Sequence, residues 1–109
     1  MIRVEERIEV DSLGFSVERV GLASTRIAWG SIQLVEAFKQ DILTVDLLCL
    51  RFDLDGESIV VHEEQPGWQE LVNVLPEKLA GFPPFMQWLG GVALPPFAEN
   101  RVRLFASQS

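Results

Sequence analysis

The sequence predicts an α+β fold: a strongly bent antiparallel meander or half-open barrel of about six to seven strands, packed by a C-terminal amphipathic helix. Apolar and polar residues alternate in the first part of the chain, which is typical of strands with one face in water. All six prolines lie at Pro66 or later, where the apolar spacing changes to that of a helix. Strands followed by helices favour α+β over a parallel sheet.

The length of 109 residues predicts one domain, residues 1–109, with a β-meander at 1–64 and a helical cover and C-terminal segment at 65–109. A hydrophobic content of 48% with 23% charged residues is typical of a globular chain. The single cysteine, Cys49, lies in an apolar run, so we expect a small buried hydrophobic residue rather than a reactive thiol.

Six strands are predicted in order, at residues 2–10, 15–20, 23–29, 32–38, 43–54 and 58–63. The charged residues 39–41 separate two runs of high β-propensity, which predicts a hairpin loop there. The fifth run is apolar on both faces around residues 47–50 and is therefore expected at the centre of a covered sheet. Asp55-Gly56 predicts a tight turn before the sixth strand.

A helical stripe follows Pro66 and Gly67. Its apolar residues, at spacings of three and four, are Trp68, Leu71, Val72, Leu75 and Leu79. Pro76 predicts either a kink or the start of a second helix, because proline lacks a backbone donor. A short helix is predicted at residues 84–89 and a last strand at 101–105.

The stretch IAWGSIQLVEAFKQD, residues 27–41, resembles the strand–turn–strand segment of small uncharacterised bacterial proteins with a pleckstrin-homology-like fold. In those proteins a Trp is followed three residues later by an Ile that opens a strand, as Trp29 and Ile32 are here. The resemblance covers residues 1–80 and implies a curved antiparallel barrel closed at one end by a helix. The chain departs from that pattern by having six predicted strands before the helix instead of seven, and by continuing past it.

Charge and motifs exclude several classes of function. The net charge of −7 disfavours binding to nucleic acid or to a membrane surface. In pleckstrin-homology-like proteins that bind phosphoinositides, a basic first hairpin loop holds the phosphates. The matching residues 11–14 here contain an acid and no base, so the resemblance does not imply phosphoinositide binding. No nucleophile elbow, phosphate-binding glycine loop or zinc-protease motif occurs, so we expect no enzyme activity, no cofactor and no metal.

His62, Glu64 and Asp46 are the candidate ligand-binding residues. In a strand, residues 62 and 64 share one face, so His62 and Glu64 are candidates for a ligand-binding or acid–base pair. The alternative is a strand end with solvated acids. A metal site needs three or four convergent ligands, and the sequence has no second His and no Cys pair to supply them.

A second candidate surface lies in the segment PPFMQWLGGVALPPF, which holds more apolar residues than a short irregular segment hides easily. Two alternatives stay open: the segment packs back over the sheet, or part of it is an exposed patch for a protein partner. The candidate interface residues are Phe85, Met86, Trp88, Leu89 and Phe97.

The sequence therefore favours a cytoplasmic, non-enzymatic protein-binding or adaptor module, with a protein partner or self-association. A specific form is an acidic protein that neutralises a basic partner such as a toxin, since opposite charges speed association. The alternative is a small-ligand-binding protein or minor enzyme with a pocket between sheet and helix. Trp29 and Trp68 filling that gap would count against the alternative.

Overall fold

A computed structural model describes residues 6–18, 23–42, 45–93 and 101–107 of the chain. Within these ranges it contains seven strands, two α-helices and one 3-10 turn at Trp29–Ser31. In chain order the elements are β1 (Arg7–Val10), β2 (Gly14–Glu18), β3 (Thr25–Ala28), β4 (Leu34–Ile42), β5 (Val45–Leu54), β6 (Glu57–His62), α1 (Trp68–Lys78), α2 (Phe85–Ala93) and β7 (Arg101–Ala106). The α+β class is confirmed.

The strands form two antiparallel sheets. Sheet A has the order β1-β2-β3, and sheet B has the order β6-β5-β4-β7. The described strands do not close into a barrel, and β3 does not pair with β4 as a single continuous meander requires. The predicted central position of the fifth strand is confirmed, because β5 lies between β6 and β4.

The break between the sheets lies at the 3-10 turn. The backbone N–H of Trp29 donates to Leu13 O at 3.2 Å, which ends the pairing of sheet A. Four residues later, the N–H of Gln33 donates to Asp53 O at 2.8 Å and the chain enters sheet B. Gly30-Ser31 thus marks a change of sheet as well as a break in the strand.

The predicted hairpin loop at residues 39–41 is wrong. Strand β4 continues to Ile42, which pairs with Val45, so only residues 43 and 44 connect the two strands. Lys39 pairs with Leu48 in the ladder and is only 4% exposed. The alternation of Val35, Ala37 and Lys39, which are all buried, continues through the charged interruption.

The stripe of helix α1 is confirmed, because all five of its predicted apolar residues are buried. Pro76 neither ends nor restarts the helix, which runs on to Lys78. The helix begins after Gly67, whose φ is +94°, and the N–H of Ile8 donates to Pro66 O at 2.8 Å. The start of α1 is thereby fixed against the edge of β1.

The predicted last strand is confirmed as β7, which pairs with β4. A β-bulge between Val35 and Glu36 leaves Leu104 as an extra residue in β7. Leu104 is 6% exposed and belongs to the core, and Val102 and Phe105 pack against the same core. The bulge re-aims the strand so that three apolar side chains contact the core.

One apolar core joins both sheets and both helices. Phe15 of β2 contacts Phe52 of β5 with ring centroids 4.9 Å apart, and both side chains are fully buried. Phe15 also contacts Trp29, at 5.7 Å between centroids. The two sheets are therefore held together by side-chain packing.

We predict that Gly67→Ala lowers the free energy of unfolding by about 2 kcal/mol or more, because of backbone strain and a steric clash. Residue 67 has a positive φ, and an added Cβ would overlap the carbonyl oxygen of Ile8. Urea denaturation measures the loss. The matched control is Gly81→Ala, which has a φ of +81° but open space around the new Cβ. Equal losses in the two variants would contradict the proposed contact with β1.

Candidate functional site

Helix α2 is attached to the core by one side. Trp88 and Val92 are 4% and 0% exposed, and Phe85 contacts Trp88 edge to face at 5.0 Å between centroids. Among the described residues, no acceptor bonds the buried Nε1 of Trp88. The spacing of Phe85, Trp88 and Val92 at three and four residues explains why this segment forms a helix that buries one stripe.

The first turn of α2 borders a groove with α1, which we call the α1–α2 groove. Its volume is about 480 Å³, and it is lined by Gln69, Val72, Asn73, Pro76, Pro84, Phe85 and Met86. Met86 is 79% exposed, the largest exposed fraction among the large apolar residues described. The groove thus offers an apolar floor and an exposed thioether side chain at its rim.

The charge around the groove is uneven. Helix α2 carries no charged residue, whereas Glu70 and Glu77 lie about two turns apart on α1 and are exposed. Each neighbours the lining residue Asn73 on the helix surface, at a spacing of three or four residues. Within the lining, Gln69 Nε2 donates to Asn73 Oδ1 at 3.1 Å. The groove is therefore apolar with one acidic border.

The predicted interface residues divide between core and surface. Trp88 is buried, Phe85 and Leu89 are half-buried, and Met86 is exposed. Phe97 lies outside the described residues. The segment accordingly does both things that were kept open: it packs back on the fold through one stripe and leaves another part exposed.

Sequence reasoning did not identify the α1 wall of the groove. Val72 and Pro76 lie one turn apart, at the edge of the buried stripe. The signal that could have found this wall is the spacing of Val72 and Pro76 by four residues. It makes the apolar face of α1 wider than packing on one sheet requires. The sequence predicts only a kink or a second helix start at Pro76, and not a wall of a groove.

His62, Glu64 and Asp46 are placed separately. Strand β6 ends at His62, and Glu64 lies in the turn that follows, so strand alternation does not put these two side chains on one face. Instead, the backbone N–H of Glu64 donates to His62 Nδ1 at 3.3 Å. Asp46 pairs through its backbone with Asp41 at the far end of β5, and its side chain lies outside the described part.

Gln65 organises the turn that contains these acids. It is 5% exposed, and its Oε1 accepts the N–H of His62 at 2.7 Å while its Nε2 donates to Glu6 Oε2 at 3.0 Å. Glu63 Oε1 accepts the backbone N–H of Leu48 at 3.0 Å. These contacts give the turn a structural role.

The gap between sheet and helix at the centre of the fold is filled. Trp29 and Trp68 are 9% and 5% exposed, and both belong to the shared core. These two indoles fill the centre of the interface between sheet and helix, and the alternative of a small-ligand site stays a prediction.

Cys49 is buried on the outer face of sheet B, where its ladder partners are Phe38 and His62. Burial raises the pKa of its thiol to about 11, and the nearby Glu63 carboxylate adds to this shift. The thiol is consequently protonated at neutral pH and is not a nucleophile there.

Asp11 and Arg26 form the ion pair of the first hairpin. Arg26 donates from both terminal nitrogens to the Asp11 carboxylate, at 2.6 and 2.7 Å. The same carboxylate accepts the N–H groups of Leu13 and Gly14. The hydrogen bond from Arg26, followed by that from Leu13, lowers the pKa of Asp11 from 3.8 to about 2.

In the described part of the chain, no group of three or more His, Cys, Asp or Glu side chains is arranged to hold a metal ion. None of the described helices has both the length and the apolar content to cross a membrane. No protein-family model, curated protein or solved structure matches the chain. Function must therefore be argued from the surfaces of this fold.

We predict that the Cys49 thiol does not react with a disulfide reagent such as DTNB in the native protein at pH 8. The thiolate is the reactive form, and a pKa of about 11 leaves little of it at that pH. In denaturant one thiol per chain should react rapidly. Rapid reaction in the folded state, at the rate found in denaturant, would show that the site is open.

We predict that Arg26→Gln raises the pKa of Asp11 from about 2 toward 3.8 without reaching it, because two backbone N–H groups still bind the carboxylate. NMR titration of the carboxyl carbon measures this shift, with Arg103→Gln as the charge-matched control. Since the folded pKa is depressed, the ion pair stabilises the fold above the unfolded pKa. That stabilisation should disappear as the pH falls through about 2, and an unchanged titration curve in Arg26→Gln would contradict the assignment.

Proposed function

We propose that this chain is a non-enzymatic protein-binding module whose α1–α2 groove holds an apolar segment, flanked by basic residues, of a partner protein. The observation that carries the proposal is the exposure of Met86, 79%, beside the half-buried Phe85. Methionine is flexible and polarisable and is suited to apolar surfaces that receive a partner side chain.

The division of α2 into two stripes supports a binding role. Trp88 and Val92 belong to the core and Phe85 and Leu89 pack against it, whereas Met86 does not. An exposed apolar residue alone is ordinary, but this one lies at the rim of a groove with an apolar floor. The groove is preformed, which reduces the ordering that a partner must induce.

Charge selects the kind of partner. The chain has 16 acidic and 9 basic residues, and Glu70 and Glu77 border the groove. A basic segment is attracted by this field and an acidic one is repelled, which sets both association rate and specificity. A basic toxin is the specific form of partner that we propose, and no role in binding nucleic acid, membranes or phosphoinositides is included.

The proposed fold relationship is to pleckstrin-homology-like proteins. Two antiparallel sheets sharing one core, with a helix after the sixth described strand, support it. Strand β7, which follows both helices and joins sheet B, departs from that plan. The cytoplasmic location expected from the sequence stays a prediction.

A random peptide library displayed on phage tests the proposal without a known partner. We expect the selected peptides to share an aromatic or aliphatic residue next to Lys or Arg. Met86→Gln should lower the affinity for a selected peptide by about fivefold or more, since anchor contacts at a groove carry most of the affinity. Leu13→Gln, which changes another apolar residue with 73% exposure, should leave the affinity unchanged.

The charge component has its own variant. The double variant Glu70→Gln with Glu77→Gln should bind the peptide less tightly, and its affinity should depend less on salt concentration. Asp55→Asn with Glu57→Gln, at the exposed β5–β6 turn, makes the same change of net charge and should have a smaller effect. Equal losses of peptide affinity in the two pairs of variants would contradict the proposal. It would also be contradicted if the chain self-associates and Met86→Gln abolishes that association, because the groove would then bind a second copy of the chain.

A further inference from the structure

A second cavity lies where the two sheets meet, and we call it the junction cleft. Its volume is about 420 Å³, and it is bounded by the 3-10 turn, the C-terminal end of α1 and the end of β7. It shares no lining residue with the α1–α2 groove. Its size lies within the range of small-molecule pockets, roughly 300–1,000 Å³.

Large apolar side chains form part of the walls of the junction cleft and are held in place. The apolar lining includes Trp29, Ile32, Leu79 and Phe105. The indole N–H of Trp29 already donates to Ser12 O at 3.2 Å, so the ring offers a ligand its carbon surface and not its donor. The N–H of Leu79 donates to Leu75 O at 2.9 Å, closing the last turn of α1.

The polar part of the described lining has one sign of charge. Among the described residues of the lining, Lys78 is the only charged one, and Ser107 adds a hydroxyl group. Among the described residues, Lys78 has no carboxylate partner. In a chain of net charge −7, an ammonium at a cleft whose described lining contains no acid is a local exception that favours an anion.

We propose that the junction cleft binds a small amphipathic carboxylate. The apolar body of the ligand lies against Trp29, Leu79 and Phe105, and the Lys78 ammonium binds its carboxylate at the mouth. A pocket that is largely apolar, with one or two placed polar groups, is the usual arrangement of small-ligand sites. This site is independent of the α1–α2 groove and uses none of His62, Glu64 and Asp46.

Titration of the ¹⁵N-labelled full chain with octanoate, below its micelle concentration, tests the site directly. The chain has three Trp residues, so three indole N–H signals report on three places. We expect a saturable shift of the Trp29 signal and smaller changes at Trp88, which lies in α2. The neutral analogue 1-octanol should bind about fivefold more weakly, because it cannot pair with Lys78.

Matched variants separate charge from apolar contact. Lys78→Gln should lower the affinity for octanoate by about fivefold and leave the affinity for 1-octanol unchanged. Arg103→Gln removes the same charge from the outer face of sheet B, opposite Glu36 in the ladder, and should not alter octanoate binding. Ala106→Leu adds volume to the lining of the cleft and should weaken both ligands.

Three results would overturn the proposal: no saturable shift of the Trp29 indole, a larger shift at Trp88 than at Trp29, or equal loss of octanoate affinity in Lys78→Gln and Arg103→Gln. Thermal denaturation of each variant confirms that it is folded before it is titrated. Failure of this test leaves the peptide selection unaffected, because the two sites have separate residues and separate probes.

Discussion

Contact between Phe15 and Phe52 is the interaction on which the rest of the structure depends. The described strands of the two sheets share no hydrogen-bonded ladder, so side-chain packing determines how the sheets lie against each other. Burying each phenyl ring stabilises the fold by about 1.5–3 kcal/mol, and an aromatic pair adds about 0.5–1.5 kcal/mol. Trp29 extends this contact to the turn where the chain changes sheets.

Helix α1 completes the same core from one side. Its start is fixed by the hydrogen bond between Ile8 and Pro66 and by the close approach of Gly67 to β1. With Trp68 inserted, the centre of the fold is full. The two proposed sites lie at the margins, where α2 leaves Met86 exposed and where the sheet junction leaves the cleft beside Lys78.

Local features of the fold could be predicted from the sequence, because they depend on neighbouring residues. The stripe from Trp68 to Leu79, the turn at Asp55-Gly56 and the final strand were all correctly placed. The charge run at residues 39–41 predicts a turn, but strand β4 continues through it to Ile42. The stronger signal is the alternation of buried residues along β4, which runs from Val35 and Ala37 to Lys39.

The division into two sheets and the sites themselves could not be predicted, because both depend on long-range contacts. Gly30-Ser31 signals a break, but nothing local shows that β4 then pairs with β7, more than sixty residues away. Likewise, Lys78 and Trp29 become neighbours of one cleft only after the sheets have packed. The pairing of His62 and Glu64 assumes that the strand continues to residue 64, whereas β6 ends at His62, and the sequence does not show the hydrogen bonds of the turn that follows.

A double-mutant cycle on Phe15 and Phe52 tests the central claim most directly. The free energies of unfolding of Phe15→Leu, Phe52→Leu and the double variant are measured by urea denaturation. If the sheets are joined by this contact, the double variant loses less stability than the sum of the single variants, with a coupling energy of about 0.5–1.5 kcal/mol. A coupling energy of zero would mean that the two sheets are stabilised separately, and it would contradict the shared core on which both proposed sites rest.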